Sequence, residues 1–367
     1  MMKIGITTFQ RAHNFGAQMQ MYALYTFLKH KGYDVWILDY HCPPVEDSYL
    51  DTNLFRNPRR FLTKRIYPGI ELFLKSIMSS IMGYQKIKCQ RFSDFLANNF
   101  QLTKRFDKAE ELPSDFDVLI TGSDQLWNYY ITKGRRKVYF LDNNGDLDAL
   151  PKRISYAISA EKKRYPELIA DKDYIKNALS GFSWISVREK ALAELLKTEM
   201  DIPAEVAIDP TLFLTREDCL KVAVKPKEKH YLCVYRVNKT SYLSKLAKKI
   251  ANERGLKIVN VYAANTAYSK SECQGPREIL GYICYADAVL TSSFHGTVFS
   301  IINHKDFYSA YDAPSERVQN ILFLLGMESR SICSISDYKG FSRVQFDENK
   351  ISGLVMDSQA RLLNAIK

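Results

Sequence analysis

The first forty residues alternate apolar and polar positions in a pattern that predicts a strand, a helix and a second strand. Residues 3–8 form a short β-branched apolar run, and residues 15–31 repeat apolar side chains with helical spacing. Gly32 follows as the expected helix C-cap, and residues 33–39 (YDVWILD) have the pattern of a buried strand. A βαβ unit of this kind implies a parallel sheet.

Predicted strands and helices continue to follow one another along the chain, in two successive series. Strands are predicted at residues 117–121, 153–158, 184–187 and 205–208, with a helix at 189–198. After Asp209-Pro210 the pattern begins again, with strands at 230–237, 256–262, 288–291 and 306–310, and helices at 240–254, 276–284, 296–302 and 315–325. We therefore predict an α/β protein with two Rossmann-like domains facing a central cleft. The first covers residues 1–209, with an insertion at about 50–105, and the second covers 210–367, with the option that its last helix packs back on the first domain.

Charge is concentrated in the insertion. The 367 residues carry 52 Lys+Arg and 41 Asp+Glu, a net charge of +11. From Arg56 to Arg91 there are nine basic residues and one acid, Glu71, a net charge of +8. The rest of the chain is nearly neutral, which argues against a nucleic-acid-binding protein.

The insertion also has an apolar stripe with helical spacing. Its members are Ile66, Ile70, Phe73, Leu74, Ile77, Met78, Ile81 and Met82. A cationic helix with such a stripe is typical of a helix lying on an anionic membrane surface. The alternative is that the stripe packs on the first domain and the cations are solvated. No run of 18 apolar residues occurs and the seven cysteines form no CxxC pair, so we expect a cytoplasmic protein, with contact to the inner membrane face as an option.

Residues 291–297 (TSSFHGT) have the features of an anion-binding segment. They follow an apolar strand and precede an apolar helix, so backbone N–H groups and the positive helix end are presented together. Gly296 lets the backbone come close to a ligand, and His295 can carry a proton near pH 7. The alternative for His295 is a helix-capping or core role.

Two cations and one carboxylate are candidates for the same cleft. Arg188 ends a strand and suits bidentate binding of a carboxylate or phosphate, unless it forms an ion pair with Glu189 or another near neighbour. Lys305 is a second potential anion contact or an ordinary surface lysine. Asp124 follows the strand that is predicted to break at residues 122–124, where it binds sugar hydroxyls or forms an Asx turn. The sequence has no metal-binding spacing of histidines, cysteines or carboxylates, so no metal is expected.

Several segments together resemble the polysaccharide pyruvyl transferase family, in order and spacing across residues 3–310. They are IGIT (4–7), NFGA (14–17), YAL (22–24), GSDQLWN (122–128), SYA (155–157), SVREK (186–190), DPTL (209–212) and SSFHGT (292–297). The chain departs from the family after SYA, where SAEK (159–162) replaces the usual small residues and glycine. The resemblance implies a GT-B-like fold.

It also implies a reaction, in which a pyruvyl group passes from phosphoenolpyruvate to two hydroxyls of a sugar, free or lipid-linked, and forms a cyclic ketal. Phosphoenolpyruvate is then a substrate, and no cofactor is expected. The phosphoenolpyruvate set is His295 as general acid with Arg188, Lys305, Ser293, Phe294 and Gly296. The acceptor set is Asn14, Asp124 and Asn128.

Two other functions are compatible with the same residues. A GT-B glycosyltransferase with a nucleotide-sugar donor would need an acid for the donor ribose, and Glu316 is the candidate. A non-catalytic sugar- or anion-binding protein would use His295 structurally.

Overall fold

Two parallel sheets organise the chain. In the first, the strand order is β2-β1-β3-β4-β5-β6, and in the second it is β11-β10-β9-β7-β8. The first sheet contains β1 (Lys3–Thr7), β2 (Asp34–Ile37), β3 (Val118–Asp124), β4 (Lys152–Ile158), β5 (Phe182–Val187) and β6 (Glu205–Val206). The second contains β7 (Tyr231–Arg236), β8 (Lys257–Tyr262), β9 (Ala288–Thr291), β10 (Asp306–Ala310) and β11 (Ser331–Ile332). All of these neighbouring strands pair in parallel.

The computed structural model describes residues 1–50, 77–79, 81–145, 150–237, 240–262, 267, 269–313 and 315–367. Its helices are α1 (Phe15–His30), α2 (Pro43–Leu50), α3 (Tyr84–Asn99), α4 (Tyr129–Thr132), α5 (Tyr165–Ala170), α6 (Lys172–Leu179), α7 (Lys190–Met200), α8 (Arg216–Val222), α9 (Leu243–Arg254), α10 (Pro276–Cys284), α11 (Phe294–Ile302), α12 (Glu316–Leu325) and α13 (Glu348–Ile366). The predicted α/β class with two parallel-sheet, Rossmann-like units facing a cleft is confirmed. The predicted domain boundary at residues 209/210 stays a prediction.

Strand β3 is longer than its predicted span of residues 117–121, because the strand does not break at Gly122. Gly122 has a φ of +142°, a conformation that favours glycine. It also lies so close to β4 that an added Cβ would be 2.1 Å from the Tyr156 carbonyl oxygen. Glycine therefore carries the strand on to Asp124, at the edge where the two units face each other.

The two units share an apolar core at the base of the cleft. The ring of Phe15, the first residue of α1, lies 5.7 Å from that of Tyr235 in β7 and 5.3 Å from that of Phe299 in α11. Burial of a phenylalanine of this kind contributes about 1.5–3 kcal/mol. Helix α13 lies against the first sheet, where Ser358 Oγ is 2.9 Å from Tyr156 Oη. These contacts hold the start of α1 close to α11.

Most of the predicted amphipathic helix lies outside the described residues. Ile66, Ile70, Phe73 and Leu74 belong to that undescribed part, as do the basic residues from Arg56 to Lys75. Within the described part of the chain, no helix is both long and apolar enough to cross a membrane.

Candidate active site

The carboxyl edges of the two sheets meet across a cavity of about 200 Å³. Ligands of open parallel sheets bind at this edge. The first unit contributes Asn14, Gly16, Asp124 and Gln125 to the wall, and the second contributes Ser293, Phe294, His295 and Arg317. Five of the sequence-predicted site residues therefore face one cavity: Asn14, Asp124, Ser293, Phe294 and His295.

His295 occupies the second position of α11, directly after β9. Ser293 is the N-cap of this helix, and its hydroxyl accepts a hydrogen bond from Gly296 N at 3.3 Å. The imidazole crosses to the first unit and lies on the start of α1. A Cβ atom added at Gly16 would be only 2.1 Å from His295 Nδ1, so the ring occupies the space that glycine leaves open. The ring is thus held between two helix N-termini.

A buried carboxylate lies behind His295. Asp209 is 2% exposed, and its Oδ1 accepts hydrogen bonds from Thr211 N at 2.9 Å and Thr211 Oγ1 at 2.6 Å. Asp209 Oδ2 lies 2.8 Å from Arg188 Nη1 and 3.6 Å from His295 Nε2. Burial by itself would raise the pKa of Asp209, but the charge of Arg188 and the hydrogen bond and charge of His295 hold that pKa well below its ordinary value. Sequence reasoning missed Asp209 as a site residue, although the DPT segment after β6 marked its place.

Arg188 is an internal partner of this carboxylate. It follows β5, and its Nη2 donates to Ser123 Oγ at 2.5 Å, while Nη1 faces Asp209. The side chain is only 4% exposed. The predicted alternative, an ion pair with Glu189, is replaced by the pair with Asp209. Arg188 and His295 are therefore brought together, but through Asp209.

Two guanidinium groups lie near the ring of Phe294. Arg188 is 5.6 Å from the ring centroid and Arg317 is 5.7 Å from it. A second cavity of about 180 Å³ adjoins Phe294 and is also lined by Arg188, Asp209 and Arg317. Arg317 thus faces both cavities.

Arg317 is the cation that sequence reasoning missed. It stands at the start of α12, which follows β10 as α11 follows β9. Helices that follow neighbouring parallel strands begin at the same edge of a sheet, which was the available signal. Among the described residues, Arg317 has no ion pair within 4 Å. Its charge is therefore available to a ligand.

The structure does not bring Lys305 to this site, which corrects the prediction made from its distance along the chain. Lys305 directly precedes β10, so it lies at the amino edge of the second sheet. Its Nζ donates to the Ala286 carbonyl oxygen at 2.9 Å, close to the amino end of β9. Helix α11 returns the chain from the carboxyl edge of the sheet to its amino edge. Its nine residues span about 13 Å, which separates Lys305 from His295.

Two further predicted contacts have other roles. A Cβ atom added at Gly296 would lie 2.2 Å from Thr291 Oγ1. The Gly296 N–H already donates a hydrogen bond to Ser293 Oγ, so Gly296 allows close packing of the helix. Asn128 is buried: its Oδ1 accepts from Tyr130 N at 3.2 Å, and its Nδ2 donates to Gln125 Oε1 at 2.7 Å. Asn128 therefore positions Gln125, and it is Gln125 that lines the cavity.

Asn14 and Asp124 remain candidates for binding a hydroxylated ligand. Asn14 is exposed at the cavity, where its Oδ1 also caps α1 by accepting from Ala17 N at 3.1 Å. Asp124 Oδ1 accepts from Gln125 N at 2.8 Å, and the second carboxylate oxygen is the other acceptor of this side chain. Within the described ranges, no three His, Cys, Asp or Glu side chains are grouped as a metal site.

The sequence profile of one protein family matches most of the chain. The polysaccharide pyruvyl transferase model matches residues 14–310. The chain belongs to this family. Arg188, Asp209 and His295 lie within the range matched by the pyruvyl transferase profile, whereas Arg317 lies beyond its end. No protein of curated function matches the chain significantly.

Solved structures with distant similarity cover almost the whole chain of this family member. UDP-GlcNAc 2-epimerase from Methanocaldococcus jannaschii is 10% identical, with 99% of this chain and 98% of that one covered and a TM-score of 0.45. An α-glucosyltransferase in complex with UDP is 8% identical, with 100% and 92% covered and a TM-score of 0.46. The glycosyltransferase SsfS6 from Streptomyces sp. SF2575 is 13% identical, with 99% and 96% covered and a TM-score of 0.39. Similarities of this size say nothing about what this chain binds.

Proposed function

We propose that this chain transfers a pyruvyl group from phosphoenolpyruvate to two hydroxyls of a sugar, forming a cyclic ketal and releasing phosphate. The observation that carries the proposal is the buried Asp209–His295 pair, whose histidine faces a cavity between two sheet edges in a member of the pyruvyl transferase family. The pair supplies a proton donor. The cavity wall of the second unit carries the positive charge that anionic phosphoenolpyruvate needs, and the wall of the first unit carries the polar groups that suit an uncharged sugar.

The donor carries a phosphate and a carboxylate, so it needs positive potential. Arg317 supplies a guanidinium that has no ion pair among the described residues, and the start of α11 supplies N–H groups that have no partner within the helix. Arg188 also lies near the Phe294 ring, but its own charge is largely matched by Asp209. Arg317 therefore takes the donor role that the sequence had assigned to Lys305.

The first chemical step is protonation of the donor's methylene carbon. His295, whose Nε2 lies 3.6 Å from Asp209 Oδ2, gives a proton to the methylene group. The neighbouring carbon gains oxocarbenium character and is attacked by a sugar hydroxyl. Positive groups near the departing phosphate stabilise the charge that develops on it.

Closure of the ketal completes the balance of atoms. A second hydroxyl adds to the same carbon, the C–O bond to phosphate has broken, and the donor methylene has become a methyl group. Of the two hydroxyl protons, one restores the proton lost from His295 and the other leaves with phosphate. Asn14, Asp124 and Gln125 are placed to bind or orient the acceptor hydroxyls.

Ligand-dependent thermal unfolding tests the choice of donor. A ligand that binds only the folded state stabilises it, by about 2.7 kcal/mol at a concentration 100 times its Kd. We expect phosphoenolpyruvate to raise the Tm of the wild type and of Lys305→Ala, and to raise the Tm of Arg317→Ala much less. The two variants remove one cation each, and Lys305 is the control because it lies at the opposite edge of the sheet.

The other outcomes each favour another function. A shift with UDP-sugars and none with phosphoenolpyruvate would support a glycosyltransferase. A shift with oligosaccharides alone would support a binding protein. Phosphate release from phosphoenolpyruvate, only when a sugar acceptor is added, is the matching activity assay.

A further inference from the structure

The second cavity, with a volume of about 180 Å³, is lined by one face of each of two helices and by the segment that follows β6. Helix α12 contributes residues 317, 320, 321 and 324, and α13 contributes residues 354, 357 and 361. Residues spaced by three, four and seven positions share one face of a helix. Because the wall also includes Arg188 and residues 206–209 of the first unit, the cavity lies between the two units.

Most of the wall of the second cavity is aliphatic. Its apolar side chains, apart from the ring of Phe294, are Val206, Ala207, Ile208, Leu212, Ile321, Leu324 and Leu354. Cavities lined in this way bind the apolar part of a ligand, and an engineered apolar cavity of about 150 Å³ binds benzene. A cavity of about 180 Å³ therefore has room for one six-membered ring or a branched alkyl group of similar size.

The charges on the wall leave one cation without a partner. Three arginines and two aspartates line the cavity, a net charge of 3 − 2 = +1. Asp209 lies 2.8 Å from Arg188, and Asp357 lies 2.6 Å from Arg361, which also pairs with an exposed carboxylate outside the wall. Arg317 has no ion pair among the described residues. The cavity therefore suits an anion better than a cation or a neutral molecule.

Polar and apolar groups occupy different ends of the wall that α12 provides. Arg317 lies in the first turn of the helix, and Asn320 follows it, with a side-chain amide that forms no hydrogen bond within the described part of the chain. Ile321 and Leu324 continue the same face toward the C-terminus, and seven residues of helix extend about 10 Å. A ligand that matches this face has an anionic group at one end and a compact apolar group at the other.

The two cavities share part of their walls. Phe294 and Arg317 line both of them, whereas His295 lines the first and Asp209 the second. A single guanidinium cannot hold two separate anions with full strength. An anion that contacts Arg317 from the second cavity therefore competes with an anion in the first.

We propose that the second cavity binds a small apolar carboxylate. Its charged group contacts Arg317 and Asn320, and its ring or branched alkyl group lies among the aliphatic side chains of α12 and α13. Occupation of the second cavity weakens the binding of phosphoenolpyruvate in the first, which makes the second cavity a regulatory site. The binding does not depend on the reaction proposed above, and only the regulation rests on that proposed function.

Isothermal titration with phenylacetate tests the apolar part of the site. We expect a Kd on the order of 1 mM, as for other ligands of this size, and binding of acetate that is weaker by about 10-fold or more. Leu324→Gln is expected to weaken phenylacetate binding by about 10-fold, because it removes an aliphatic contact with the ring. Phe323→Gln is the matched control, since Phe323 is the preceding residue of α12, is 69% exposed and does not line the cavity.

Arg317→Ala tests the charged part of the site. Phenylacetate should bind to this variant about 10–100-fold more weakly, the range expected for a lost charge-assisted hydrogen bond. Benzyl alcohol, which keeps the ring and lacks the charge, should bind equally to the wild type and to Arg317→Ala. With the wild type, phenylacetate should raise KM for phosphoenolpyruvate and leave kcat unchanged, because the two anions compete for one guanidinium.

Each part of the proposal has its own contrary outcome. Absence of phenylacetate binding, equal affinities for phenylacetate and acetate, or equal losses in Leu324→Gln and Phe323→Gln would overturn the site. Binding of phenylacetate without a rise in KM for phosphoenolpyruvate would overturn its regulatory role. If phosphoenolpyruvate neither binds nor reacts, the proposed function fails, and the titration with phenylacetate still decides whether the second cavity binds an apolar carboxylate. The Tm of each variant without ligand reports whether it folds.

Discussion

The carboxyl edges of the two sheets present different kinds of arginine. On the first unit, Arg11 makes a bidentate pair with Asp39, with both distances 2.6 Å, and Arg188 is paired with Asp209 at 2.8 Å. On the second unit, Arg317 has no such pair among the described residues. A paired guanidinium contributes little net charge to a ligand, so the first edge presents amide and carboxylate groups and the second presents positive charge. This asymmetry matches a hydroxylated acceptor on one side and an anionic donor on the other.

The two histidines near the cleft differ in the same way. His13, on the first unit, has its pKa lowered to about 4 by burial and by the charges of Lys88 and Arg11. His295, on the second unit, has Asp209 at 3.6 Å instead. Of these two histidines, His295 has a carboxylate beside it and lines the cavity, as the proposed proton donor should.

The largest effect is expected from His295→Gln, which removes that proton donor. The rate constant kcat for phosphate release from phosphoenolpyruvate should fall by about 10²–10⁴-fold, the usual contribution of a general acid. Folding should persist, as judged by circular dichroism and Tm. His304→Gln is the matched control, because His304 is half exposed and lies beyond the far end of α11. Retention of full activity in His295→Gln would remove the acid role, and loss of folding would make the residue structural.

The comparison of the two edges predicts a split in KM. Arg317→Ala should raise KM for phosphoenolpyruvate by about 10–100-fold, the range expected for a lost charge-assisted hydrogen bond. Asp124→Asn should raise KM for the sugar acceptor and leave KM for phosphoenolpyruvate unchanged. Steady-state kinetics with each substrate varied in turn measures both. Equal changes of both constants in either variant would mean that the edges are not divided between the substrates.

Gly16→Ala tests the contact by which the two edges meet. The added methyl would lie 2.1 Å from His295 Nδ1, so the ring must move, at a cost of about 1–3 kcal/mol of unfolding free energy. Activity should fall with it, because His295 leaves its place beside Asp209. Gly353→Ala is the control, because this helical glycine is exposed with open space around it. Alanine at this position should increase the free energy of unfolding by up to about 1 kcal/mol. Denaturant unfolding measures the stability of both variants. A Gly16→Ala protein as stable and as active as the wild type would contradict the contact between Gly16 and His295.

The smallest effect concerns the neutral histidine of the first edge. Because the pKa of His13 is lowered to about 4 in the folded state, the unfolded chain binds the proton more readily below its ordinary pKa of 6.5. Stability is therefore full above pH 6.5 and decreases as the pH falls toward 4, by about 1 kcal/mol between pH 7 and pH 5.5. Urea unfolding at these two pH values, compared between wild type and His13→Asn, should show a smaller difference in the variant. An NMR titration that places His13 near 6.5 would contradict the lowered pKa.

The sequence by itself determined the elements and the edge at which the site lies. The predicted strands 288–291 and 306–310 and the helix 276–284 agree with β9, β10 and α10 residue for residue, because hydrophobic period is a local property. The end of a parallel strand is equally local, so the hydrophobic pattern was enough to place His295 and Asp124 at the cleft. Family resemblance pointed to the same segments.

Tertiary structure alone decided which charged side chains form ion pairs and which of them face the cavity. The sequence could not show that Arg188 pairs with Asp209 or that Arg317 has no ion pair among the described residues. Such facts depend on how two sheets dock, and residues distant in sequence, such as Gly16 and His295, meet only then. Ion pairing is short-ranged and spacing along the chain does not encode it, so the position of Asp209 between Arg188 and His295 is a property of the assembled cleft.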